Sequence, residues 1–226
     1  MTQQIRPPAI TWLASYPRSG NTLLRTILKR CFGQPSQSLY TDQEFPESAV
    51  RELVGHQAVG SNPKAFLREA LHAGRTLYVK THELPGSDAH PVLYVVRDGR
   101  SALVSHHHYL KEIMGRDISL AEVIEGQGGE SWSRHVTEWT ARGNALVVRY
   151  EDLAAGKETT LQAIARFIGQ PLIHAFDISF SQLHALSPVF FRSGSDAANI
   201  AEMDAAALSL FEQRHGETLR RLGYGA

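Results

Sequence analysis

Apolar positions along this chain follow two alternating rhythms. Ile10 to Ala14 form a short uncharged run with β-branched and aromatic side chains, which predicts a buried strand. Leu23, Leu24, Ile27 and Leu28 then recur at helical spacing, with Arg25, Lys29 and Arg30 on the other faces. The same change of period repeats downstream. Arg75 to His82 reads as a strand with a polar end. Pro91 to Val96 is nearly continuous in apolar residues, as in a parallel strand covered on both faces. A helix from about Ser101 to Lys111 follows, then one from Ser131 to Arg142, a strand from Ala145 to Arg149 and a helix from Lys157 to Ile168 stopped by Gly169 and Pro171. The last helix runs from about Asp204 to Leu222. Between the first helix and the second strand, Cys31 to Glu47 reads as a loop rich in Gly, Pro, Ser and Gln. Ser48 to Leu53 and Pro63 to Ala73 read as helices, the latter with Asn62 as its N-cap. Strands alternating with helices predict an α/β fold in three layers, a central parallel sheet flanked by helices. No composition break marks a boundary, so residues 1–226 read as one domain.

Polar residues cluster where these strands end. The first strand runs into Ser15-Tyr16-Pro17-Arg18-Ser19-Gly20-Asn21-Thr22, the next ends in Lys80-Thr81-His82, and the third in Arg97-Asp98. Ligands of open α/β sheets bind at the carboxyl ends of the strands. A strand, a glycine-containing loop and a helix N-terminus direct backbone N–H groups and the positive end of a helix dipole at one spot, which suits an anion. Arg18 adds a charge, and Ser19, Asn21 and Thr22 add side-chain donors. The loop is P-loop-like without being a triphosphate loop. The pattern G-x-x-x-x-G-K-[ST] is not met: no glycine stands five residues before Gly20, and Asn21 follows it instead of lysine.

Lys and Arg total 23, as do Asp and Glu, so no global basic field points to nucleic acid. No apolar run reaches membrane-spanning length, no secretory h-region is evident at the start, and the single Cys31 reads as packing. These features predict a cytoplasmic protein. His106, His107 and His108 are consecutive on a helix and cannot chelate one ion from one face, so no metal is expected.

Tyr16-Pro17-Arg18-Ser19-Gly20-Asn21-Thr22 resembles the phosphosulfate-binding loop of the sulfotransferase family, which uses 3′-phosphoadenosine 5′-phosphosulfate (PAPS) and releases 3′,5′-diphosphoadenosine (PAP). Further elements come in family order and cover most of the chain. Arg97 and Ser105, eight residues apart, resemble the pair that grips the 3′-phosphate. Lys80-Thr81-His82 resembles the family's Lys-Thr-His strand end, and Tyr150-Glu151-Asp152 the segment whose tyrosine approaches adenine. Ser131 to Trp139 resembles its tryptophan-bearing helix, and Phe190-Phe191-Arg192-Ser193-Gly194 the Arg-Lys-Gly segment that closes over the 3′-phosphate. The sequence departs from the pattern at Arg18, commonly lysine, and at Leu23, often tryptophan. It departs again at Ser193 for lysine, and at Ser195-Asp196-Ala197-Ala198 where Gly-Asp-Trp usually follows.

The resemblance implies sulfuryl transfer from PAPS to a hydroxyl, or an amine, of a small-molecule or carbohydrate acceptor. It implies that Arg18, Ser19, Gly20, Asn21 and Thr22 bind the phosphosulfate, that Arg97, Ser105, Arg192, Ser193 and Gly194 bind the 3′-phosphate, and that Tyr150 lies near adenine. His82 is then the base, with Lys80 and Arg18 supporting the transition state. Two other readings remain: a P-loop nucleotide kinase or triphosphatase, and a module that holds nucleotide without turnover.

Overall fold

A computed structural model describes residues 9–40, 48–59, 62–72, 74–188, 191–192 and 194–225. Its centre is a parallel sheet of β1 (Ile10–Ser15), β2 (Ser36–Ser38), β3 (His56–Gln57), β4 (Leu77–Thr81), β5 (Val92–Val96) and β6 (Ala145–Arg149), in the order β3-β2-β4-β1-β5-β6. β1 lies between β4 and β5, with Ala14 opposite Thr81 and Ser15 opposite Val95. The chain therefore places the ends of β1, β4 and β5 side by side, and the sheet reverses its winding direction there.

Side chains alternate across the sheet with period two. Ile10, Trp12 and Ala14 join Val79, Val92, Tyr94 and Val96 on one face, and Leu13 joins Tyr78, Leu93 and Val95 on the other. The first face is covered by α6 (Trp132–Thr140) and α11 (Ala205–Arg221), through Trp132, Val136, Trp139 and Phe211. The second is covered by α1 (Asn21–Phe32) and α8 (Glu158–Ile168), through Leu24, Ile27, Leu28, Leu161 and Ile164. Both tryptophans of α6 are core residues, and Trp132 lies so close to Gly99 that a Cβ there would meet the indole at 2.7 Å.

The remaining helices are α2 (Ser48–Leu53), α3 (Pro63–Ala70), α4 (Gly99–His108), α5 (Leu120–Ile124), α7 (Tyr150–Ala154), α9 (Phe180–Leu186) and α10 (Asp196–Ile200). α4 continues into one π-helical turn, Tyr109–Ile113. Asn62 caps α3 by accepting from the Ala65 N–H, as its position predicts. Among the described residues, no helix is long and apolar enough to cross a membrane.

The segment expected to be a loop from Cys31 to Glu47 is corrected in part. Cys31 and Phe32 finish α1, and Ser36–Ser38 is a buried strand paired with β3 and β4. Its side chains are polar, so no hydrophobic alternation announces it. They are satisfied individually: the Arg25 Nε–H donates to Ser36 Oγ at 2.8 Å, Ser36 Oγ–H donates to the Val54 carbonyl at 3.1 Å, and Gln37 donates to Gln57 at 2.7 Å. Residues 41–47, and Ala73 at the predicted end of α3, lie outside the described residues.

Candidate active site

Gly20 begins the site. It is the N-cap of α1 at φ 106°, a conformation glycine adopts without steric cost, and it offers no side chain to cap the first-turn N–H groups. Those donors stay open to an external anion. The Tyr150 ring packs directly on Gly20, where a Cβ would meet Cδ2 at 2.6 Å. Arg18, two residues earlier, is the one non-glycine residue with positive φ (63°) among the described residues. An arginine held in the left-handed region signals a backbone fixed by its surroundings. The Ser19 hydroxyl is buried with no hydrogen-bond partner among the described residues. Asn21 instead pins the loop to the sheet, its Nδ2 donating to the Leu13 carbonyl at 2.8 Å. Thr22 is half-buried in the first turn of α1.

Three guanidiniums gather over this loop. Arg18 Nε donates to Ser105 Oγ at 3.3 Å and its guanidinium lies over the Tyr109 ring at 5.5 Å. Burial first, then the neighbouring charges of Arg97 and Arg192, lower its pKa to about 10. Arg97 Nη1 donates to the Arg18 carbonyl at 3.0 Å, and its guanidinium stacks on Tyr150 at 4.3 Å. The structure thus brings Arg18, Arg97, Ser105, Tyr150 and Arg192 together. Ser193 lies outside the described residues. Gly194, at φ 58°, sits tightly against the Phe180 ring and leads into α10. Leu23, at the position where a tryptophan is often found, is packed in the core beneath the sheet.

Carboxylates that sequence reasoning did not assign neutralise two of these arginines. Asp196 Oδ1 accepts from Arg97 Nε at 2.7 Å and from Ser101 Oγ at 2.6 Å. Arg192 Nη2 donates to Asn199 Oδ1 at 2.6 Å and pairs with Glu202 at 3.1 Å. Asp98, a possible partner for Arg97 by sequence adjacency, pairs with Arg100 instead at 2.7 Å. No local pattern joins Asp196 to Arg97; they are 99 residues apart.

The end of β4 supplies the titratable groups. His82 Nδ1 lies 2.8 Å from the Ser15 carbonyl oxygen. A carbonyl only accepts, so Nδ1 bears the hydrogen and Nε2 carries the lone pair. Burial, reinforced by the charge of Lys80, holds the His82 pKa well below 6.5. Lys80 is buried under the Tyr40 ring at 5.0 Å. Burial first, then Arg25 and Arg18, hold its pKa well below 10.5. A neutral imidazole beside a cationic pocket is equipped to accept a proton while the arginines and open N–H groups stabilise negative charge on a leaving oxygen.

The three consecutive histidines diverge. His106 meets the Tyr16 hydroxyl at 3.2 Å, His107 donates to the Ile118 carbonyl at 3.1 Å, and His108 lies between Glu112 (2.8 Å) and Glu202 (2.5 Å).

Residues 8–186 match the family described as "Sulfotransferase domain". Human sulfotransferase 2B1 is 26% identical over 236 residues, covering 97% of this chain and 60% of that protein. The guinea pig (Cavia porcellus) 3-alpha-hydroxysteroid sulfotransferase is 33% identical over 173 residues, covering 72% of this chain and 59% of that protein. The chain spans 52% to 60% of the length of these and other curated relatives it matches. Among solved structures, mouse sulfotransferase SULT7A1 complexed with PAP superposes with a TM-score of 0.66 at 19% identity, covering 96% of this chain and 89% of that one, which shows a shared fold.

Proposed function

This chain belongs to the sulfotransferase domain family, and we propose that it transfers a sulfuryl group from PAPS to a hydroxyl, or an amine, of a small-molecule or carbohydrate acceptor, releasing PAP. The observation that carries this reading is the convergence of Arg18, Arg97, Ser105 and Arg192 on the capless N-terminus of α1, with the neutral His82 ring on the adjacent strand end. The buried Ser19 hydroxyl, without a hydrogen-bond partner among the described residues, and the close approach of Tyr150 to Gly20 fit a loop shaped around an anion.

PAPS supplies an activated sulfuryl group whose transfer is an in-line displacement resembling phosphoryl transfer. Arg18, Ser19, Gly20, Asn21 and Thr22 hold its phosphosulfate end. Arg97, Ser105, Arg192 and the Ser193-Gly194 segment hold its 3′-phosphate, and the Tyr150 ring flanks the nucleotide. Arg18 and the α1 N–H groups stabilise charge on the leaving oxygen. His82 Nε2 takes the acceptor's proton, and Lys80 adds positive charge beside it. Site residues come from both the first and last thirds of the sequence, which supports reading residues 1–226 as one domain. A cytoplasmic setting accords with a composition that uses one cysteine and buries it.

Calorimetry with PAP and with ATP–magnesium tests the reading. PAP binds more tightly on this view; tighter ATP binding returns the chain to the kinases and triphosphatases. Labelled sulfate from PAPS is then followed into a panel of phenols, alcohols, sugars and amines. His82→Ala lowers transfer by about 10²-fold or more while leaving PAP binding near the parent value. Undiminished transfer in that variant removes His82 as the base, and PAP binding without transfer to any acceptor favours a non-catalytic module.

A further inference from the structure

We propose that His135 is a positioning residue for His82, acting together with Tyr94 through the carbonyl oxygen of His82. The proposal rests on the sulfotransferase reading, with His82 as base. His135, on α6, and Tyr94, on β5, are both fully buried. Burial alone would make them core, but both ring nitrogens of His135 are engaged by partners that fix its hydrogen. Nε2 lies 3.1 Å from the His82 carbonyl oxygen, so Nε2 donates. Nδ1 lies 2.9 Å from the Tyr94 hydroxyl, so on a neutral ring Nδ1 accepts and Tyr94 donates.

The other side of His82 is held as firmly. Its backbone N–H donates to Tyr40 Oη at 2.6 Å, and its ring Nδ1–H donates to the Ser15 carbonyl at 2.8 Å. One turn along α6, Trp139 Nε1 donates to the Glu83 carbonyl at 2.9 Å. Helix α6 therefore grips two successive carbonyls where β4 ends. Ser15 C=O and Tyr16 N–H belong to a single peptide unit at the mouth of the anion loop. That unit takes the His82 ring, the Tyr16 side chain beside it meets the His135 ring edge-on at 5.8 Å between centroids, and His135, backed by Tyr94, returns to the His82 backbone. The circuit sets the ring of the base against the loop that holds the donor, and leaves Nε2 as its unprotonated nitrogen.

Three variants test this: His135→Gln, which returns an N–H near the Nε2 position, His135→Phe, which does not, and Tyr94→Phe, which removes one hydroxyl from an unchanged core. Imidazole ¹⁵N spectra report the tautomers of His135 and His82. Transfer of labelled sulfate from PAPS to the acceptor panel gives kcat and KM, and calorimetry gives PAP affinity. In the parent, His135 carries its hydrogen on Nε2 and His82 on Nδ1. In His135→Phe, His82 becomes a mixture of tautomers and kcat falls about 30-fold, with KM for PAPS and PAP affinity within about twofold. His135→Gln recovers to within about threefold of the parent. Tyr94→Phe leaves His135 Nδ1 without its donor, keeps Nε2–H on the His82 carbonyl and lowers kcat about fivefold, a result still readable if His135→Phe does not fold. The proposal is overturned by Nδ1–H on His135 in the parent. It is also overturned by a folded His135→Gln as impaired as His135→Phe, or by a Phe variant that keeps His82 on Nδ1 with kcat unchanged. A parent chain that transfers no label instead removes the sulfotransferase reading, and the tautomers still decide the role of His135.

Discussion

Arg97 shows how a residue can be legible in its position and hidden in its environment. The family resemblance singled out the strand-end arginine and Ser105, but the Asp196 carboxylate that holds Arg97 stood outside it. It begins a five-residue helix with little periodicity, 99 positions downstream. The Arg97 side chain is 7% exposed and that of Asp196 24%. Removing the carboxylate leaves a buried guanidinium without its counter-charge, which is costlier than losing a surface pair. Asp196→Ala therefore destabilises the nucleotide-free chain by about 2 kcal/mol, and on the proposed 3′-phosphate site PAP, by restoring anionic charge there, raises the variant's Tm more than the parent's. Equal shifts would show that Asp196 does not share the phosphate's ground. On the proposed roles of His82 as base and Lys80 beside it, these two groups set the pH response. A base whose pKa lies below 6.5 stays competent until the medium is more acidic than that, so the acid limb of kcat/KM falls below pH 6.5. Lys80 loses its proton below pH 10.5, which draws the alkaline limb inward. A profile with its acid midpoint at or above 6.5 would contradict this assignment.

At the scale of elements, hydrophobic period found β1, β4, β5 and β6 because their side chains alternate against two apolar layers. It missed β2 and β3, which are two or three residues long and polar, and which exist because β4 offers an edge and Arg25 and Gln57 satisfy their side chains. α5 and α9 were missed for another reason. They are too short to show a period, yet Ser119–Glu122 and Ser179–Gln182 are complete capping boxes visible as S-x-x-E and S-x-x-Q. Ser119→Ala costs about 1 kcal/mol, measurable by urea denaturation with an unchanged m-value. Gly20→Ala is more severe in function than in stability: a Cβ enters the Tyr150 ring and the positive φ becomes strained. PAP affinity falls at least tenfold, while a merely permissive loop would leave it within twofold.

For the molecule as a whole, the buried histidines make stability depend on pH. Burial lowers the pKa of His106 and His135 to about 4, against about 6.5 in an unfolded chain. Between those values the unfolded state binds protons that the native state does not, so stability rises with pH and is lost as pH falls through this window. The two groups contribute on the order of 3 kcal/mol each, present in full above pH 6.5. Thermal melts at pH 7.5 and 5 show the lower Tm in acid, and His135→Gln narrows the difference while His106 keeps the rest. The sheet's order also governs when the protein becomes competent. The contacts of its candidate site span 67 residues from Ser15 to His82, 87 from Arg18 to Ser105 and 99 from Arg97 to Asp196. Such distant segments meet only after long loops have closed, which is the slow part of folding. After dilution from denaturant, helical signal returns first and the proposed sulfuryl transfer last, so regained activity would serve as a clock for the final docking of strands and of α10.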